Sequence, residues 1–415
     1  MKSFTQFLFE GAGGSLEAAK HVILTLRQHG YQGYLVGGCV RDMLLGMNPK
    51  DIDIATDAIP DQLTSIFPGS QLVGEKFGVV IVNGIDVATF RKDGIYSDGR
   101  RPDSVAFTKT PQEDAARRYF TWNALFMDPF TGDILDFFGG QDDLKNKILR
   151  TVGSADERFT QDHLRIMRAD RFAGRYGFKI HPDTEAAMTT HSHHLASIDV
   201  ERITQELTKS LAHDPMMVVT SMKRTGVLKT ILPEVDSEPR QDFDTTIKVL
   251  SEVGRNTTTE FGFCALLFKL PVSTITSLSR RLKFTNDLRD HILGVMALQP
   301  RIEIANPHVS MDVLKKLMRD KYFSDALRLF GMRVHTGEKS EYGPSFHFLT
   351  NLYNSLNHED LNPVRFVTGD DLIRVLGMKP GKEFKTILDT IENGQLNGTI
   401  KTREQALEIA RKMQK

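Results

Sequence analysis

Two aspartates separated by one residue, Asp51 and Asp53, stand among isoleucines in the stretch KDIDIA. In a β-strand, residues i and i+2 point to the same face, so a strand here would bring both carboxylates together. Two ionised carboxylates at that spacing repel each other, and a shared proton or a divalent cation relieves the repulsion. The pattern indicates a metal site, and a solvated edge strand is the alternative.

A glycine turn lies just upstream, in the stretch YLVGGCVRDMLLG. Its apolar residues predict a strand that ends at Gly37 and Gly38 and a helix that begins directly after them. Backbone amides at a helix N-terminus bind phosphate, and the Arg41 guanidinium offers a fork for the same anion. A phosphate cradle beside a carboxylate pair is what nucleotidyl transfer requires, because metal ions and hydrogen-bond donors together hold a triphosphate. For the glycines alone, a purely structural turn is the alternative.

Further charged residues extend this candidate site. Asp86 lies in the strand-like run NGIDVATFR and is the candidate third carboxylate, expected on a neighbouring strand. Arg117 and Arg118 follow on a predicted helix, where they would face a triphosphate or ribose if they share the cleft of the aspartates. A solvent-exposed helix face is the alternative for this arginine pair.

The stretch FTQDHLRIMRADRFAGRYGF indicates a second kind of contact. It predicts a helix capped by Thr160, on which Asp162 and Arg165 stand one turn apart. Such a pair offers acceptors and donors that match the Watson–Crick edge of a base. The alternative, a surface salt bridge, would contribute only about 0.3–0.5 kcal/mol. Further arginines along the same helix favour anion or base contact: Arg168, Arg171 and Arg175.

Composition limits the classes of protein. The 415 residues carry 53 basic and 53 acidic side chains, so any nucleic-acid surface must come from local patches. Two distant cysteines cannot form a disulfide framework or a four-thiolate zinc site, which is typical of a reducing cytosol. No stretch approaches the roughly 18 apolar residues of a membrane span. The HSHH run at 191–194 is interpreted as an exposed loop, with metal binding as the weaker alternative. We therefore expect a cytoplasmic protein.

The pattern of apolar residues changes once along the chain. A helix is predicted over 16–29, with Gly30 as its C-cap, and short apolar runs separated by glycine over 33–137 predict an α/β sheet domain. From about residue 156 long helical patterns dominate, and prolines mark their breaks. The last residues, from Gly369, predict a compact helical module.

These motifs, in this order, resemble the class II tRNA nucleotidyltransferases, namely the bacterial-type CCA-adding enzymes and their relatives the bacterial poly(A) polymerases. GGCVRD with DIDIAT resembles the first motif of this family, FFGGQDDLKNKILRT its hinge, and QDHLRIMRADRF its nucleobase motif. ERITQEL, at 201–207, resembles the helix that buttresses the nucleobase motif. The resemblance implies these roles: Asp51 and Asp53 bind magnesium, Gly37, Gly38, Arg41, Arg117 and Arg118 bind the nucleotide, Asp162 and Arg165 select the base, and Arg168 and Arg171 lie near the triphosphate.

The resemblance also implies the architecture and the activity. The fold is expected to be α+β, with a small nucleotidyltransferase sheet domain (head, 1–150) followed by an all-helical neck (151–210), body (211–310) and tail (311–415). The expected reaction is magnesium-dependent addition of CCA to the 3′ end of tRNA from CTP and ATP, with pyrophosphate release. The expected partners are tRNA and the two nucleotides, with no membrane and no obligate protein partner.

Two residues depart from the family pattern, because Tyr119 stands where the family has aspartate and Gln161 where it has glutamate. The alternatives are therefore a poly(A) polymerase, a CC- or A-adding enzyme, and a catalytically impaired tRNA-binding relative. Three stretches favour CCA addition: GEKFG at 74–78, YSDGRRPD at 96–103 and TGDDLIRVLGMKPG at 368–381.

Overall fold

The computed structural model describes residues 13–73, 77–97 and 99–414. Three residues of the GEKFG stretch, 74–76, and Asp98 of the YSDGRRPD loop lie outside the described residues. The chain divides into two compact units, which meet in sequence at Ser237 and Glu238. The division into head, neck, body and tail stays a prediction. No helix of the described part of the chain is long and apolar enough to cross a membrane.

The first unit begins with α1 (Gly13–Gln28), in agreement with the helix predicted over 16–29. Its buried face consists of residues at helical spacing, including Ala19, Ile23 and Leu26. Gly30 follows with φ 83°, and its amide donates to the Arg27 carbonyl oxygen at 3.0 Å. The predicted glycine C-cap is thus confirmed, since only glycine adopts this backbone conformation without strain.

The strands all lie in the first unit, as far as the structure describes the chain. In chain order they are β1 (Gly33–Val36), β2 (Asp53–Thr56), β3 (Gln71–Leu72), β4 (Val79–Val82), β5 (Ile85–Thr89), β6 (Arg91–Asp93), β7 (Val105–Phe107), β8 (Phe126–Met127), β9 (Ile134–Leu135), β10 (Ile148–Leu149) and β11 (Lys179–Ile180).

A seven-stranded mixed sheet organises the first half of this unit, with the strand order β3-β4-β5-β2-β1-β8-β9. Strands β2 and β5 run parallel, whereas β1 pairs antiparallel with both β2 and β8. The inner strands are buried because they consist of apolar residues such as Leu35, Ile54 and Val87. This sheet confirms the α/β domain predicted over 33–137.

Two smaller strand pairs flank the sheet. Strands β6 and β7 form an antiparallel hairpin, and residues 94–104 form its connection. Strands β10 and β11 pair in parallel. The described residues of the YSDGRRPD stretch lie in this connection.

Short helices connect the strands of the sheet, and longer ones follow it. Those of the first unit are α2 (Gly38–Leu44), α3 (Pro60–Ile66), α4 (Pro111–Ala116), α5 (Gly140–Asn146), α6 (Ala155–Gln161), α7 (Leu164–Tyr176), α8 (Pro182–His191), α9 (Val200–Leu211), α10 (Pro215–Arg224), α11 (Val227–Ile231) and α12 (Pro233–Asp236), with 3₁₀ turns at Thr121–Asn123 and Ser192–Ser197.

The second unit is helical throughout its described residues. Its helices are α13 (Arg240–Val253), α14 (Thr259–Leu267), α15 (Val272–Arg281), α16 (Asn286–Glu303), α17 (Met311–Met318), α18 (Phe323–His335), α19 (Gly343–Ser355), α20 (His358–Leu361), α21 (Gly369–Arg374), α22 (Lys382–Leu396) and α23 (Arg403–Met413), with a 3₁₀ turn at Ser340–Tyr342.

The C-terminal helices of this unit form the compact module that the sequence predicts. Apolar residues of α21, α22 and α23, such as Leu372, Ile387 and Ala406, share one buried core. Together with the mixed sheet in the first unit, the helical second unit confirms the α+β fold class.

Candidate active site

Two of the three predicted carboxylates, Asp53 and Asp86, lie side by side on neighbouring inner strands of the sheet, and Asp51 lies just before the first of these strands. Asp53 is the first residue of β2, and its Cα is the register partner of Asp86 in the parallel strand β5. Asp51 is exposed and lies in a bend before β2, so the expectation that both aspartates belong to one strand is wrong. The strand begins at Asp53, and the buried side chains of Ile52 and Ile54 lie on either side of this residue. The adjacency predicted for Asp86 is confirmed.

Electrostatics link these carboxylates to each other. Partial burial raises the pKa of Asp53 above its ordinary value, and the negative charge of Asp86 raises it further. The Arg118 guanidinium opposes this rise, and Asp51 adds to it. Asp53 therefore lies in a field that is relieved by a proton or a cation.

The donor set fits a hard divalent cation. Carboxylate oxygens are the ligands that Mg²⁺ prefers, and proteins usually hold it through one or two carboxylates plus substrate phosphates and water. Across the described residues, no three or more His, Cys, Asp or Glu side chains are close enough to hold a metal ion by themselves. Asp86 thus lies beside Asp53 without completing a preformed cage with Asp51.

The predicted glycine turn lies beside the carboxylates. Gly37 has φ 74° and joins β1 to α2, a conformation that favours glycine. A Cβ built at Gly37 would lie 3.2 Å from Nη1 of Arg118, so this guanidinium rests against the turn. Because Arg118 also acts on the pKa of Asp53, it belongs to the same cleft as the aspartates.

A buried carboxylate that the sequence analysis did not single out holds both arginines of the pair. Asp114 is 1% exposed. Its Oδ1 accepts from Nε of Arg117 at 2.8 Å, and its Oδ2 accepts from Nη2 of Arg118 at 2.9 Å. These charge partners lower the pKa of Asp114 despite the opposing effect of its burial. The i, i+3 and i, i+4 spacing of Asp114 to the arginines was the available signal.

Arg41 is buried, and other side chains of the protein accept its hydrogen bonds. It is 5% exposed, its Nε donates to Oδ1 of Asp42 at 2.8 Å, and its Nη1 donates to Oδ1 of Asn123 at 2.8 Å. The guanidinium fork expected to reach a triphosphate is thus occupied by side chains of the protein. A direct nucleotide contact by Arg41 stays a prediction.

The two residues of the predicted base-selecting pair do not lie on one helix. Asp162 lies between α6 and α7, and Arg165 lies in the first turn of α7. Asp162 has an extended backbone (φ −151°) and ends α6, and its Oδ1 accepts from the amide of Leu164 at 3.2 Å. Thr160 lies inside α6, so the expectation that it caps the following helix is wrong. Asp162 instead accepts from the first amide of α7, whereas the side chain of His163, directly before that helix, caps no amide.

Both members of the pair are buried, each with 7% exposure. Nη2 of Arg202, on α9, lies 3.4 Å from Oδ1 of Asp162. Nη1 of Arg165 donates to Oε1 of Gln161 at 2.9 Å and to the Arg158 carbonyl oxygen at 3.1 Å. The amide of Gln161 thus orients Arg165 without carrying a charge.

Glu206 organises the arginines that follow. It is 5% exposed on α9, and its carboxylate accepts from Nε of Arg168 at 3.3 Å and from Nε of Arg171 at 2.7 Å. The sequence indicated the buttressing helix but not this residue. The arginines on α7 are therefore fixed from behind by a buried anion.

Tyr119 stands close to the same arginines. Its ring centre lies 5.9 Å from the guanidinium carbon of Arg165 and 5.9 Å from that of Arg168. From the hairpin, the Tyr96 ring lies 5.9 Å from the guanidinium of Arg165. Aromatic faces at such distances attract guanidinium groups. The ring of Tyr119 is therefore a favourable neighbour for both arginines.

The histidine run does not form the predicted loop. Ser192–Ser197 is a 3₁₀ turn, and the His194 ring stacks on His163 with 4.6 Å between ring centres. Within residues 13–73, 77–97 and 99–414, no three or more His, Cys, Asp or Glu side chains lie together in a way that could hold a metal ion, and those of the histidine run are included.

Comparison with known families gives three successive matches. A Poly A polymerase head domain model matches residues 33–150. A model described as "Probable RNA and SrmB- binding site of polymerase A" matches 177–238, and a tRNA nucleotidyltransferase domain 2 model matches 255–410. The first match contains the carboxylates and the glycine turn.

Individual relatives agree with these matches. The CCA-adding enzyme of Geobacillus stearothermophilus is 48% identical over 199 residues, which is 47% of this chain and 49% of that enzyme, so this alignment spans about half of either length. The CCA-adding enzyme of Ligilactobacillus salivarius is 32% identical over 413 residues, 98% of each chain. A Bacillus stearothermophilus CCA-adding enzyme solved in complex with CTP is 31% identical, has a TM-score of 0.73, and is matched over 97% of this chain and 99% of its own. The chain therefore belongs to the bacterial-type CCA-adding enzymes, within the class II tRNA nucleotidyltransferases.

Proposed function

We propose that this chain adds C, C and A in turn to the 3′ end of tRNA, using CTP and ATP and releasing pyrophosphate. The observation that carries the proposal is the placement of Asp53 and Asp86 side by side, with Arg118 and the Gly37 turn in the same cleft. The reported relatives are all CCA-adding enzymes, so a poly(A) polymerase and an impaired tRNA-binding protein are not favoured.

Members of this class of nucleotidyltransferase generally depend on a metal ion, and we propose Mg²⁺ held by Asp51 and Asp53. When bound, the ion would polarise the tRNA 3′ hydroxyl and neutralise charge on the departing pyrophosphate. Asp86 would keep the negative field around Asp53 strong, and we assign it to the catalytic carboxylates on that basis. Deprotonated Asp53 is the form that binds a cation, so its raised pKa makes binding sensitive to acid.

The triphosphate would lie along the start of α2. Gly37 and Gly38 let phosphate oxygens approach backbone amides, because no Cβ stands in the way. Arg118 rests against Gly37 and, with Arg117, supplies positive charge fixed by Asp114. This arrangement orients the α-phosphate relative to the carboxylates without requiring the arginines to reorganise.

Base choice would fall to Asp162 and Arg165. An aspartate accepts from an exocyclic amino group and an arginine donates to ring nitrogens or carbonyl oxygens, so the pair can read cytosine and adenine without a nucleic-acid template. Gln161 and Arg202 orient the two side chains, and Glu206 fixes Arg168 and Arg171 near the triphosphate. Such preorganisation limits the ordering cost on nucleotide binding.

The tRNA contact is expected to depend on salt. The chain carries no net charge, so phosphates would be bound by local basic patches. Affinity would fall as salt rises, because the release of counterions from the tRNA into a more concentrated solution is less favourable. We place this contact in the helical residues after the sheet, where the two helical family models match. A cytoplasmic location stays a prediction from the sequence.

Extension of a tRNA that lacks its 3′ CCA tests the proposal. The purified full chain is incubated with Mg²⁺ and with CTP alone, ATP alone, or both. We expect two cytidines from CTP alone and a complete CCA end from both nucleotides. Long adenosine tails from ATP alone would establish the poly(A) reaction instead.

A substitution of Tyr119 tests whether the departure from the family aspartate has inactivated the active site. Tyr119→Phe keeps the ring beside Arg165 and Arg168 and removes only the hydroxyl, so we expect activity within about tenfold of the unaltered chain, the cost of one contact of about 1.4 kcal/mol. A chain that binds tRNA and incorporates nothing, with or without this change, would contradict the proposed function.

A further inference from the structure

The histidine run HSHH packs against the residue that precedes α7. The His194 ring stacks on His163, with 4.6 Å between ring centres and 13° between ring planes. The centre of the His193 ring lies 3.9 Å from that of His194, and the centre of the His191 ring lies 5.9 Å from it. We call these four residues the histidine stack. The reaction described above assigns no role to them.

The rings of the stack disfavour one another's protonation. Burial lowers the pKa of His163, and a positive charge on His194 lowers it further. Burial also lowers the pKa of His194, and charges on His193 and His191 add to this effect. Because like charges in contact repel, the rings of His163 and His194 are neutral at neutral pH and gain protons only in acid.

Acidic groups beside the stack oppose this effect without reversing it. The negative charge of Asp162 and the backbone of Phe159 both favour the protonated form of His163, yet its pKa remains lowered. On α6, Oδ1 of Asp156 lies 2.9 Å from Nε2 of His191, at the outer side of the stack. The repulsion between the stacked rings is therefore only partly compensated.

The hairpin and α9 also approach this region. A Cβ built at Gly99 would lie 3.4 Å from Cδ2 and from Nε2 of His163, so the hairpin connection rests against the ring. The next residue of the hairpin, Arg100, has Nη1 at 3.7 Å from Oδ2 of Asp199. The α9 residue Arg202 pairs with Asp162. Their positive charges do not favour a further proton on His163.

The stack supports the turn that holds the base-selecting aspartate. His163 lies between Asp162 and Leu164, and Oδ1 of Asp162 accepts from the Leu164 amide at 3.2 Å. The carbonyl oxygen of Asp162 accepts from the amide of Arg165 at 3.0 Å, and that of His163 accepts from the amide of Ile166 at 3.1 Å. Because the His163 side chain belongs to this hydrogen-bonded turn, displacement of its ring would rotate the turn and change the direction of the Asp162 carboxylate.

We propose that His163 and His194 are positioning residues for base selection, which hold the turn of Asp162 while both rings are neutral and release it when acid protonates them. This inference rests on the proposed function and specifies how its base choice depends on pH. The stability that the stack contributes is fully present above the ordinary histidine pKa of 6.5, and it is lost as the pH falls through the lowered values in the fold.

The preference for CTP over UTP at two pH values tests this inference. The full chain extends a tRNA that lacks CCA, in Mg²⁺, at about pH 8 and about pH 5.5, which lie on either side of the ordinary histidine pKa. The ratio of kcat/KM for the two nucleotides measures base choice. Protonation of Asp53 cancels in this ratio, because it slows the addition of both nucleotides alike.

Three variants accompany the unaltered chain. His163→Phe and His194→Phe each keep a flat ring in the stack, so that a proton on the remaining histidine faces an aromatic ring instead of a second cation. His21→Phe is the matched control, since His21 is an exposed histidine on α1.

We expect the preference of the unaltered chain for CTP to fall at least about tenfold from the higher to the lower pH. His163→Phe and His194→Phe should each keep their preference within about twofold between the two pH values, because the repulsion that opens the stack is gone. His21→Phe should lose its preference in acid as the unaltered chain does.

Two kinetic outcomes would overturn the inference. The first is a preference of the unaltered chain that does not change with pH. The second is an equal fall in acid for the unaltered chain and for both stack variants, which would mean that other groups cause it. No nucleotide addition at either pH would contradict the proposed function, on which the inference rests.

Amide hydrogen exchange of the nucleotide-free chain separates these two failures, since it needs no activity. The amides of Leu164, Arg165 and Ile166, compared with their intrinsic exchange rates at each pH, should be protected at the higher pH and lose protection at the lower one. His194→Phe should retain their protection at both. Unchanged protection in the unaltered chain would overturn the inference even if that chain adds CCA.

Discussion

The two halves of the candidate site differ in how far their charged side chains are neutralised by partners within the protein. At the start of β2, Asp51 and the neighbouring Asp86 are exposed, and the pKa of the half-buried Asp53 is raised by its burial and by their negative charges. Around α7, by contrast, the buried charges are paired, as Glu206 is with Arg168 and Arg171. The first half is electrostatically incomplete until a cation binds, whereas the second half holds its hydrogen-bonding groups in place beforehand. The difference predicts that one half supplies the chemistry and the other the selectivity.

The largest expected effect comes from removing the negative charges of Asp51 and Asp53. The double variant Asp51→Asn, Asp53→Asn removes the charge that attracts the metal while nearly preserving side-chain volume. We expect nucleotide addition to fall by at least about 10³-fold, as when a major electrostatic contribution to a transition state is lost. Single-turnover extension of tRNA measures it.

Asp61→Asn is the matched control, because Asp61 is an exposed aspartate at the start of α3. It should leave the rate unchanged. If the double variant kept more than a tenth of the rate, the carboxylate pair would not be the metal site.

In the half around α7, breaking the buried ion pairs of Glu206 should lower the free energy of unfolding. Glu206→Gln leaves Arg168 and Arg171 beside a neutral amide, and breaking a buried ion pair costs about 3–5 kcal/mol. Because Arg168 is 31% exposed on its side chain, we expect the lower end of that range. Urea unfolding with a fixed m-value measures the change.

Lys209→Gln, which neutralises an exposed residue of the same helix, should change the free energy of unfolding by less than about 0.5 kcal/mol. Equal effects of the two substitutions would mean that Glu206 is not the anchor of α7.

A smaller effect is expected where the chain departs from its family. Gln161→Glu would turn the hydrogen bonds that the Arg158 and Arg165 guanidinium groups donate to a neutral amide into ion pairs with a carboxylate. We expect the free energy of unfolding to rise by at most about 1 kcal/mol, the upper end of the range for ion pairs that are not fully buried. The same substitution at the exposed Gln141 should have no measurable effect, and destabilisation by Gln161→Glu would contradict the arrangement of Arg165.

The smallest effect concerns pH. Asp86 raises the pKa of Asp53, so Asp86→Asn should lower that pKa. Protons then compete with the metal only at lower pH, and the acid limb of Mn²⁺ binding, followed by calorimetry without nucleotide, should move to lower pH. Asp61→Asn should leave the limb in place, and a shift to higher pH in Asp86→Asn would contradict the proposed field.

Local sequence patterns predicted the parts of the site that depend on neighbours in the chain. The glycine turn at Gly37 and the pairing of Asp53 with Asp86 followed from apolar runs and strand periodicity, and the structure confirms both. The carboxylate–arginine spacing at Asp114 was equally local, although it was not singled out.

Contacts between distant residues could not be predicted in this way. Arg41 bonds to Asn123 across 82 positions, and Arg171 to Glu206 across 35, and these partners decide which arginines are occupied. The break at Asp162 was missed because its carboxylate competes with the helix for the Leu164 amide, an effect that apolar periodicity does not reveal.

The division between chemistry and selectivity is tested most directly by offering all four nucleotides to a tRNA without CCA. The unaltered chain, Asp53→Asn and Asp162→Asn are compared in Mg²⁺, and each added nucleotide is identified. We predict C, C and A from the unaltered chain, no addition by Asp53→Asn, and metal-dependent addition with lost base preference by Asp162→Asn. Faithful CCA addition by Asp162→Asn, or addition at the full rate by Asp53→Asn, would contradict this division.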